Sequence, residues 1–403
     1  MHTDHSIGHR LKELREWRGL TQTVLADLAG LSRSHVTNIE NGRRAVDKRS
    51  VLEALAAALR VAPSELAGQP IPRSDQLSSE AHAGIVAVSA ALSDYELGQP
   101  SDVAVRPWDS VLAEIRKMNT EILPRCDYIA LGLMVPKLIA DLHASYNDDP
   151  KNRRQALEGM IYAYRAARSL TYFQGVQGLP QLAAHHARRA AEELDEPHWL
   201  GLATWIKILN TANGSSRKRN YDLTLATLNT LEPHMDSPEV AQIYGMLHLH
   251  GALTRATQKN RPETDGHLDE AAAVAHRLPD DVNPFAGLQF GRTNVGIWRI
   301  GLGVEMGDGA KVAETARHVH IESMPSLERQ GMFYADLGRG LACDKRTRPQ
   351  AVAALAKAEK IAPQRMQGNP FFRETVIDLV RKAKHDSVGR ELRGMAYRMG
   401  VTA

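Results

Sequence analysis

The sequence contains little of what marks an extracellular, metal-stapled or membrane-spanning protein. Its 403 residues include two cysteines, Cys126 and Cys343, and neither has a cysteine or histidine beside it at metal-ligand spacing. Neither a disulfide framework nor a zinc site is therefore predicted. No stretch reaches the roughly 18 apolar residues of a membrane span, and the polar N-terminus lacks the apolar core of a signal peptide. We expect a soluble, cytoplasmic protein without a metal or other cofactor.

Aromatic residues and excess charge are scarce as well. Aromatics make up 5% of the chain while alanine and leucine are abundant, which favours helices packed against helices. The formal net charge is +3, so the surface as a whole is not a basic coat for nucleic acid, and any contact with DNA must be local. The densest basic group, a candidate for phosphate contacts, consists of Arg43, Arg44, Lys48 and Arg49.

Residues 6 to 67 carry the apolar spacing of five short amphipathic helices. Thr21 is placed to cap the second helix and Gly30 to end it, and Ser32 is placed to cap the third helix after a sharp turn. The inner faces of the second and third helices are predicted to consist of Val24, Leu25, Leu28, Val36 and Ile39.

The stretch TQTVLADLAGLSRSHVTNIENGRR, residues 21 to 44, resembles the helix-turn-helix of the Cro/phage-repressor family, also called the XRE family. The resemblance implies that Gln22 binds a backbone phosphate and that Arg33, Ser34 and Asn38 on the third helix read bases. An Arg side chain can fork onto guanine and an Asn side chain can pair with adenine in the major groove. The complete predicted DNA-binding set is Gln22, Arg33, Ser34, His35, Thr37, Asn38, Arg43 and Arg44.

A five-helix bundle with no role on DNA is the alternative interpretation of this segment. It is disfavoured because the outward Arg and Asn side chains and the basic loop are all present, and nothing apolar replaces them. Arg33 and Ser34 could also contact phosphates instead of bases, so the operator sequence cannot be deduced from these residues.

Three segments follow from the composition along the chain. Residues 1 to 68 are the predicted DNA-binding domain, and residues 69 to 107 are a predicted linker rich in Pro, Gly and Ser. The linker contains one amphipathic helix, at about residues 76 to 95, which is expected to bridge the domains or to dimerise. Residues 108 to 403 are the predicted sensor and dimerisation domain.

The third segment reads as pairs of helices of roughly 15 to 20 residues. Successive pair ends are marked by prolines 36 to 46 residues apart, near the 34-residue tetratricopeptide period with longer connections. These residues resemble a tetratricopeptide-like solenoid that ends in one capping helix, and an irregular helical bundle is the alternative. The predicted fold is all-α throughout. The marking prolines are Pro197, Pro233, Pro279, Pro325 and Pro363.

A repressor-type domain joined to such a solenoid resembles the bacterial RRNPP group and many actinobacterial regulators. The resemblance implies a homodimer on a double-stranded DNA operator, with a peptide or small-molecule effector bound in the concave face of the solenoid. An Asn amide suits a peptide because it offers both donors and an acceptor. The repeat template places five candidate ligand residues on this face: Asn210, Asn213, His248, Arg255 and Asn294.

Catalytic and metal chemistry are not predicted. The pairs His248/His250 and His318/His320 would point about 200° apart on a helix, so neither pair can face one ion. Recognisable nucleophile and phosphate-loop motifs are missing. The sequence therefore predicts a transcriptional regulator and not an enzyme. The alternative function is a scaffold that is localised on DNA and docks a partner protein through the solenoid.

Overall fold

The computed structural model describes residues 6–68, 76–100, 103–210, 214–279, 284–383 and 389–399. Within these ranges the chain forms helices joined by turns and loops and contains no strand, which confirms the predicted all-α class. Asn213, one of the predicted ligand residues, lies outside the described residues. No helix in these ranges is long and apolar enough to cross a bilayer.

Five helices form the N-terminal domain. The predicted caps are confirmed, because the Thr21 side chain accepts a hydrogen bond from the Val24 N–H and the Ser32 side chain accepts one from the His35 N–H. Gly30 ends the second helix in the left-handed conformation, with φ of 63°. The five helices are α1 (Ile7–Trp17), α2 (Gln22–Ala29), α3 (Arg33–Glu40), α4 (Arg49–Leu59) and α5 (Pro63–Ala67).

The core of this domain is made from the inner faces of all five helices. Leu25, Val36 and Ile39 are buried, as predicted. Val24 and Leu28 are 43% and 60% exposed, so their predicted place on the inner face is wrong. The two residues are four positions apart and share one face of α2, whereas α2 packs on α3 and α4 through the neighbouring face.

The remaining chain forms a long series of helices with short connections. A π-helical turn, Met118–Ile122, separates the first two helices that follow α6. The helices are α6 (Gln76–Asp94), α7 (Trp108–Lys117), α8 (Leu123–Arg125), α9 (Tyr128–Asp148), α10 (Arg153–Phe173), α11 (Leu179–Leu194), α12 (Pro197–Ile208), α13 (Gly214–Leu231), α14 (Pro238–Thr257), α15 (Arg261–Arg277), α16 (Arg292–Met306), α17 (Val312–Ala316), α18 (Leu327–Leu341), α19 (Arg348–Ile361), α20 (Pro363–Gln367), α21 (Pro370–Lys382) and α22 (Gly389–Arg398).

Helix α6, which the sequence places in the linker, packs against the C-terminal helices. Its partner is mainly α9, and Gly84 and Gly132 meet where the two helices cross. A Cβ atom on Gly84 would lie 2.7 Å from the Gly132 Cα, so only glycine permits this approach. Val88 and Leu92 of α6 belong to the same buried cluster as Leu131 of α9. This face of α6 is therefore occupied within the chain.

Neighbouring helices pack as hairpins along the series. Helix α10 packs on α11, α14 on α15, and α18 on α19, while α14 and α16 connect successive hairpins. The predicted helix length fails at α17, which has five residues, because a 3₁₀ turn at Gly309–Lys311 precedes it. The predicted single capping helix is also wrong, since that segment contains two helices, α21 and α22, which pack against each other.

Three buried histidines make the stability of this fold depend on pH. Burial lowers the pKa of His143, His248 and His250 to about 4, so each is neutral in the folded protein near pH 6. The unfolded chain takes up these protons below about pH 6.5.

We expect the free energy of unfolding to fall as the pH drops from about 6.5 to 4, by roughly 1.4 kcal/mol per pH unit for each histidine. Above pH 6.5 both states are neutral and the effect disappears. Urea unfolding at a series of pH values measures it. His250→Gln should make the dependence shallower than in wild type. Equal slopes for wild type and His250→Gln would contradict this assignment.

Candidate nucleic-acid interface

Helix α3 presents its polar face to the surface. Val36 and Ile39 hold its inner side in the domain core, with exposures of 0% and 1%. On the outer side Arg33 and Ser34 are exposed and Asn38 is half-buried. A short helix with an apolar inner side and an Arg, Ser and Asn outer side has the size and chemistry of a reader of the major groove.

A buried carboxylate fixes α3 against the first two helices. Glu40, at the end of α3, accepts a hydrogen bond from Arg15 Nε at 2.6 Å and another from Gln22 Nε2 at 2.7 Å. The Thr37 hydroxyl donates to Gln22 Oε1 at 2.9 Å. The hydrogen bond to Glu40 raises the pKa of Arg15. The structure thus brings together Gln22 and Thr37, two members of the predicted DNA-binding set.

Sequence reasoning missed the roles of Arg15 and Glu40 in this network. The two residues are 25 positions apart, and each occupies a polar position of an amphipathic helix. Only the packing of α1 on α3 makes them partners. The one available signal was that Arg15 stands four positions after Leu11, on the inner face of α1.

The loop after α3 carries exposed positive charge. Gly42 has a φ of 67°, which lets the chain turn sharply, and the N–H groups of Arg43 and Arg44 both donate to the Asn38 carbonyl. Both arginine side chains are exposed. Burial, and then the nearby Arg44, lower the pKa of His35. His35 and Arg44 therefore lie on the same positive edge of the domain.

Arg49, grouped with the phosphate-binding candidates by sequence, has a different partner. Its guanidinium donates to Glu305 Oε1 at 2.6 Å and its backbone N–H donates to Glu305 Oε2 at 2.9 Å. Arg339 of α18 donates to the same carboxylate at 3.2 Å and to the Asp47 carbonyl at 2.6 Å. Burial opposes ionisation of Glu305, but the two arginines outweigh it and lower its pKa. This site holds the domain against α16 and α18.

A second buried carboxylate attaches the domain to α21. Glu374 accepts hydrogen bonds from the backbone N–H groups of Ile7 at 3.0 Å and Val46 at 3.4 Å. Phe371 of the same helix enters the core of the N-terminal domain. None of the described hydrogen bonds or ion pairs between the domain and the C-terminal helices involves a side chain of α3. Arg33 and Ser34 of α3 remain exposed beside these contacts.

The predicted ligand residues do not form one open face. Asn294 is fully buried and donates to the Leu288 carbonyl at 3.4 Å, and Asn210 is buried between Arg168 and the Pro180 carbonyl. The Asn210 amide and the Asn294 NH₂ group have partners inside the protein, whereas Asn294 Oδ1 is buried without a hydrogen-bond partner among the described residues.

His248 and Arg255 belong to a polar cluster beside Tyr221. His248 Nδ1 lies 3.0 Å from His267 Nδ1, and Arg255 pairs with Glu263 at 2.7 Å while its guanidinium lies over the Tyr221 ring at 3.8 Å. Across the described part of the chain, no group of three or more His, Cys, Asp or Glu side chains is arranged to hold a metal ion. These residues therefore pair mainly with one another.

Comparison with known proteins agrees with the geometry of the first five helices. Residues 6–68 match the family described as a helix-turn-helix domain. The N-terminal domain is a helix-turn-helix domain. It belongs to a class of DNA-binding modules and not of catalytic ones. No solved structure matches the chain.

Three curated relatives are similar in sequence to this chain over the length of one domain. They are the HTH-type transcriptional repressor RghR of Bacillus subtilis (strain 168), 43% identical over 56 residues, and the immunity repressor protein of Bacillus phage phi105, 42% identical over 64 residues. An uncharacterized HTH-type transcriptional regulator of the same bacterium, RghRB, is 42% identical over 55 residues. The matches cover 14%, 16% and 14% of this chain, and 42%, 44% and 40% of the relatives. The chain thus spans less than half the length of these relatives.

The Glu40 network predicts a large effect of one substitution. Glu40→Gln leaves Arg15 with only the exposed Glu16 as a counter-charge, and removing one partner of a buried pair costs about 3–5 kcal/mol. Amide hydrogen exchange of α1 to α3 in the full chain should become about 150- to 5,000-fold less protected. The matched control is Glu13→Gln, because Glu13 is 64% exposed on α1. Unchanged protection in Glu40→Gln would show that the network does not hold α3.

Proposed function

We propose that this protein is a sequence-specific, DNA-binding transcriptional regulator. The observation that carries the proposal is the helix-turn-helix domain, whose third helix is anchored on its inner side and exposed at Arg33 and Ser34. Two of the relatives are named as repressors, which supports a role in transcription. Such a protein acts where chromosomal DNA is, in the bacterial cytoplasm.

In this proposal each residue of the predicted set has a place on DNA. Arg33, Ser34 and Asn38 read base edges in the major groove, where Arg suits guanine and Asn suits adenine. Gln22 binds a phosphate at the start of α2, with its amide oriented by Glu40 and Thr37. The residues assigned to the DNA backbone are His35, Thr37, Arg43 and Arg44.

The proposed functional unit is a homodimer that binds an inverted-repeat operator. Two recognition helices related by a two-fold axis reach half-sites about 34 Å apart, which is one turn of DNA. The residues 108 to 403, as a tetratricopeptide-like repeat domain, supply dimerisation and bind an effector. An effector changes DNA affinity only by its difference in affinity for the two states of the protein.

The contacts between the helix-turn-helix domain and the C-terminal helices allow an effector bound to those helices to act on α3. The contacts at Glu305, Arg339 and Glu374 hold the domain on three C-terminal helices, so a movement of those helices reorients α3. Rigid helices joined by buried ion pairs transmit such movements because their packing has discrete alternatives.

Alanine substitutions at the base-reading positions test the proposal. Arg33→Ala and Asn38→Ala should each weaken binding to the specific site by about 1–3 kcal/mol, because each removes a bidentate hydrogen-bonded pair with a base. Fluorescence anisotropy with the full chain should show a roughly 5- to 150-fold higher Kd. Arg346→Ala, which removes an 89% exposed arginine of the C-terminal helices, is the matched control. Wild-type affinity for both variants would contradict base reading by α3.

The basic loop predicts a different signature. Arg43→Ala and Arg44→Ala should weaken binding to all DNA sequences to a similar extent, because phosphate contacts carry no sequence information. The slope of log K against log salt should become shallower by about 0.9 for each phosphate that is no longer neutralised. Anisotropy titrations between low and moderate salt measure the slope. A loss of affinity confined to the specific site would place these arginines on bases instead.

A further inference from the structure

Four arginines surround one carboxylate between the C-terminal helices. Arg165 and Arg168 come from α10, Arg329 from α18 and Arg365 from α20, and their common neighbour is Glu328. Arg365 Nε lies 3.6 Å from Glu328 Oε1. Burial raises the pKa of Glu328, and the four arginines outweigh it and lower that pKa. The group, termed the arginine cluster, has four positive charges against one negative charge.

Aromatic rings and neutral oxygen acceptors, and not further carboxylates, lie beside these guanidinium groups. Arg165 donates to the Ala286 carbonyl, and Arg168 donates to Asn210 Oδ1 and to the Leu209 carbonyl, so no second negative charge meets them. Arg365 and Arg168 lie 3.9 and 5.8 Å from the centre of the same ring, Phe173. Arg165 lies 5.7 Å from the Trp205 ring, and Arg329 lies the same distance from the Trp298 ring. Cation–π contacts stabilise a guanidinium but supply no acceptor to its N–H donors.

Several donors of the arginine cluster and its rings have no acceptor. Arg365 Nε and the indole N–H groups of Trp205 and Trp298 are buried without a hydrogen-bond partner among the described residues. The Arg329 guanidinium makes no hydrogen bond or ion pair in the part of the chain that the structure describes. Burial also lowers the pKa of Arg168 to about 10. Excess buried positive charge with free donors is costly unless an anion compensates it.

We propose that the arginine cluster is the binding site for a compact small-molecule anion with at least two negative charges, either a phosphate or a carboxylate compound. Guanidinium groups fork onto both kinds of oxyanion with two parallel hydrogen bonds. The anion is compact because Arg168 is only 4% exposed and shares the Phe173 ring with Arg365, which lies 3.6 Å from Glu328. The flanking indole N–H groups add neutral donors for the same oxygens.

The helices that carry the arginine cluster also hold the DNA-binding domain. Helix α18 has Arg329 in its first turn and Arg339, which contacts the Asp47 carbonyl and Glu305, about 15 Å further along. Arg365 lies on α20, and Glu374, which accepts the N–H groups of the domain, lies on the next helix. This step rests on the proposed function: the anion is the effector, and its binding shifts α18 and α21 beneath the helix-turn-helix domain.

The binding test uses the full chain without DNA. Pyrophosphate and citrate are titrated separately, with sodium chloride at matched ionic strength as the reference, and calorimetry and thermal unfolding are followed. We expect saturable binding and a raised Tm with pyrophosphate for a phosphate site or with citrate for a carboxylate site. No saturable binding of either anion, or binding of an acidic peptide alone, would overturn the proposal.

Two substitutions and one control locate the site. Arg329→Gln removes a guanidinium without breaking an ion pair, so it should fold normally and raise the Kd of the anion at least tenfold. Arg365→Gln should do the same, and its fold is checked by circular dichroism because it pairs with Glu328. Arg346→Gln, at an 89% exposed position, should bind as wild type does. Wild-type anion affinity in Arg329→Gln would overturn the assignment.

DNA binding with and without the anion separates this inference from the proposed function. We expect the anion to change the Kd for the specific site in wild type and not in Arg329→Gln. Anion binding with an unchanged Kd for DNA overturns the effector role and leaves the anion site. Specific DNA binding by a chain that binds neither anion overturns the site and leaves the regulator.

Discussion

Two buried carboxylates, Glu305 and Glu374, join the DNA-binding domain to the rest of the chain. Each accepts backbone N–H groups of the N-terminal domain, and Glu305 also balances Arg49 and Arg339. A buried carboxylate is stable only while such partners stay in place. These two carboxylates therefore hold the N-terminal domain in one defined position on the C-terminal helices. These contacts fix how the helix-turn-helix domain is placed on α16, α18 and α21.

The arginines of the chain differ in their partners and in their exposure. Arg49 and Arg339 neutralise buried carboxylates, whereas Arg33, Arg43 and Arg44 remain exposed on the recognition helix and its loop. The arginine cluster differs from both groups, because its positive charge is enclosed and only partly compensated. Arginines that pair with buried carboxylates can thus be separated by their partners from those proposed to bind DNA or an anion.

Much of the N-terminal domain could be predicted from local sequence patterns. Contacts between residues that are far apart in the sequence could not. Caps such as Thr21 and Ser32 depend on residues three positions away, so spacing reveals them. Val24 and Leu28 were misplaced because hydrophobicity does not identify which face of a short helix meets the core. The partner of Arg49, Glu305, lies on another helix, so spacing along the chain does not reveal the pair. The domain boundaries, the solenoid and the DNA-binding residues stay predictions.

Selection from random double-stranded DNA with the purified full chain tests the central claim most directly. A sequence-specific regulator predicts that one motif is enriched over successive rounds, as an inverted repeat whose half-sites lie about one helical turn apart. The double variant Arg33→Ala/Asn38→Ala should lose the motif while it still retains DNA at low salt. Failure of the wild-type chain to enrich any motif, or enrichment of the same motif by the double variant, would contradict the account.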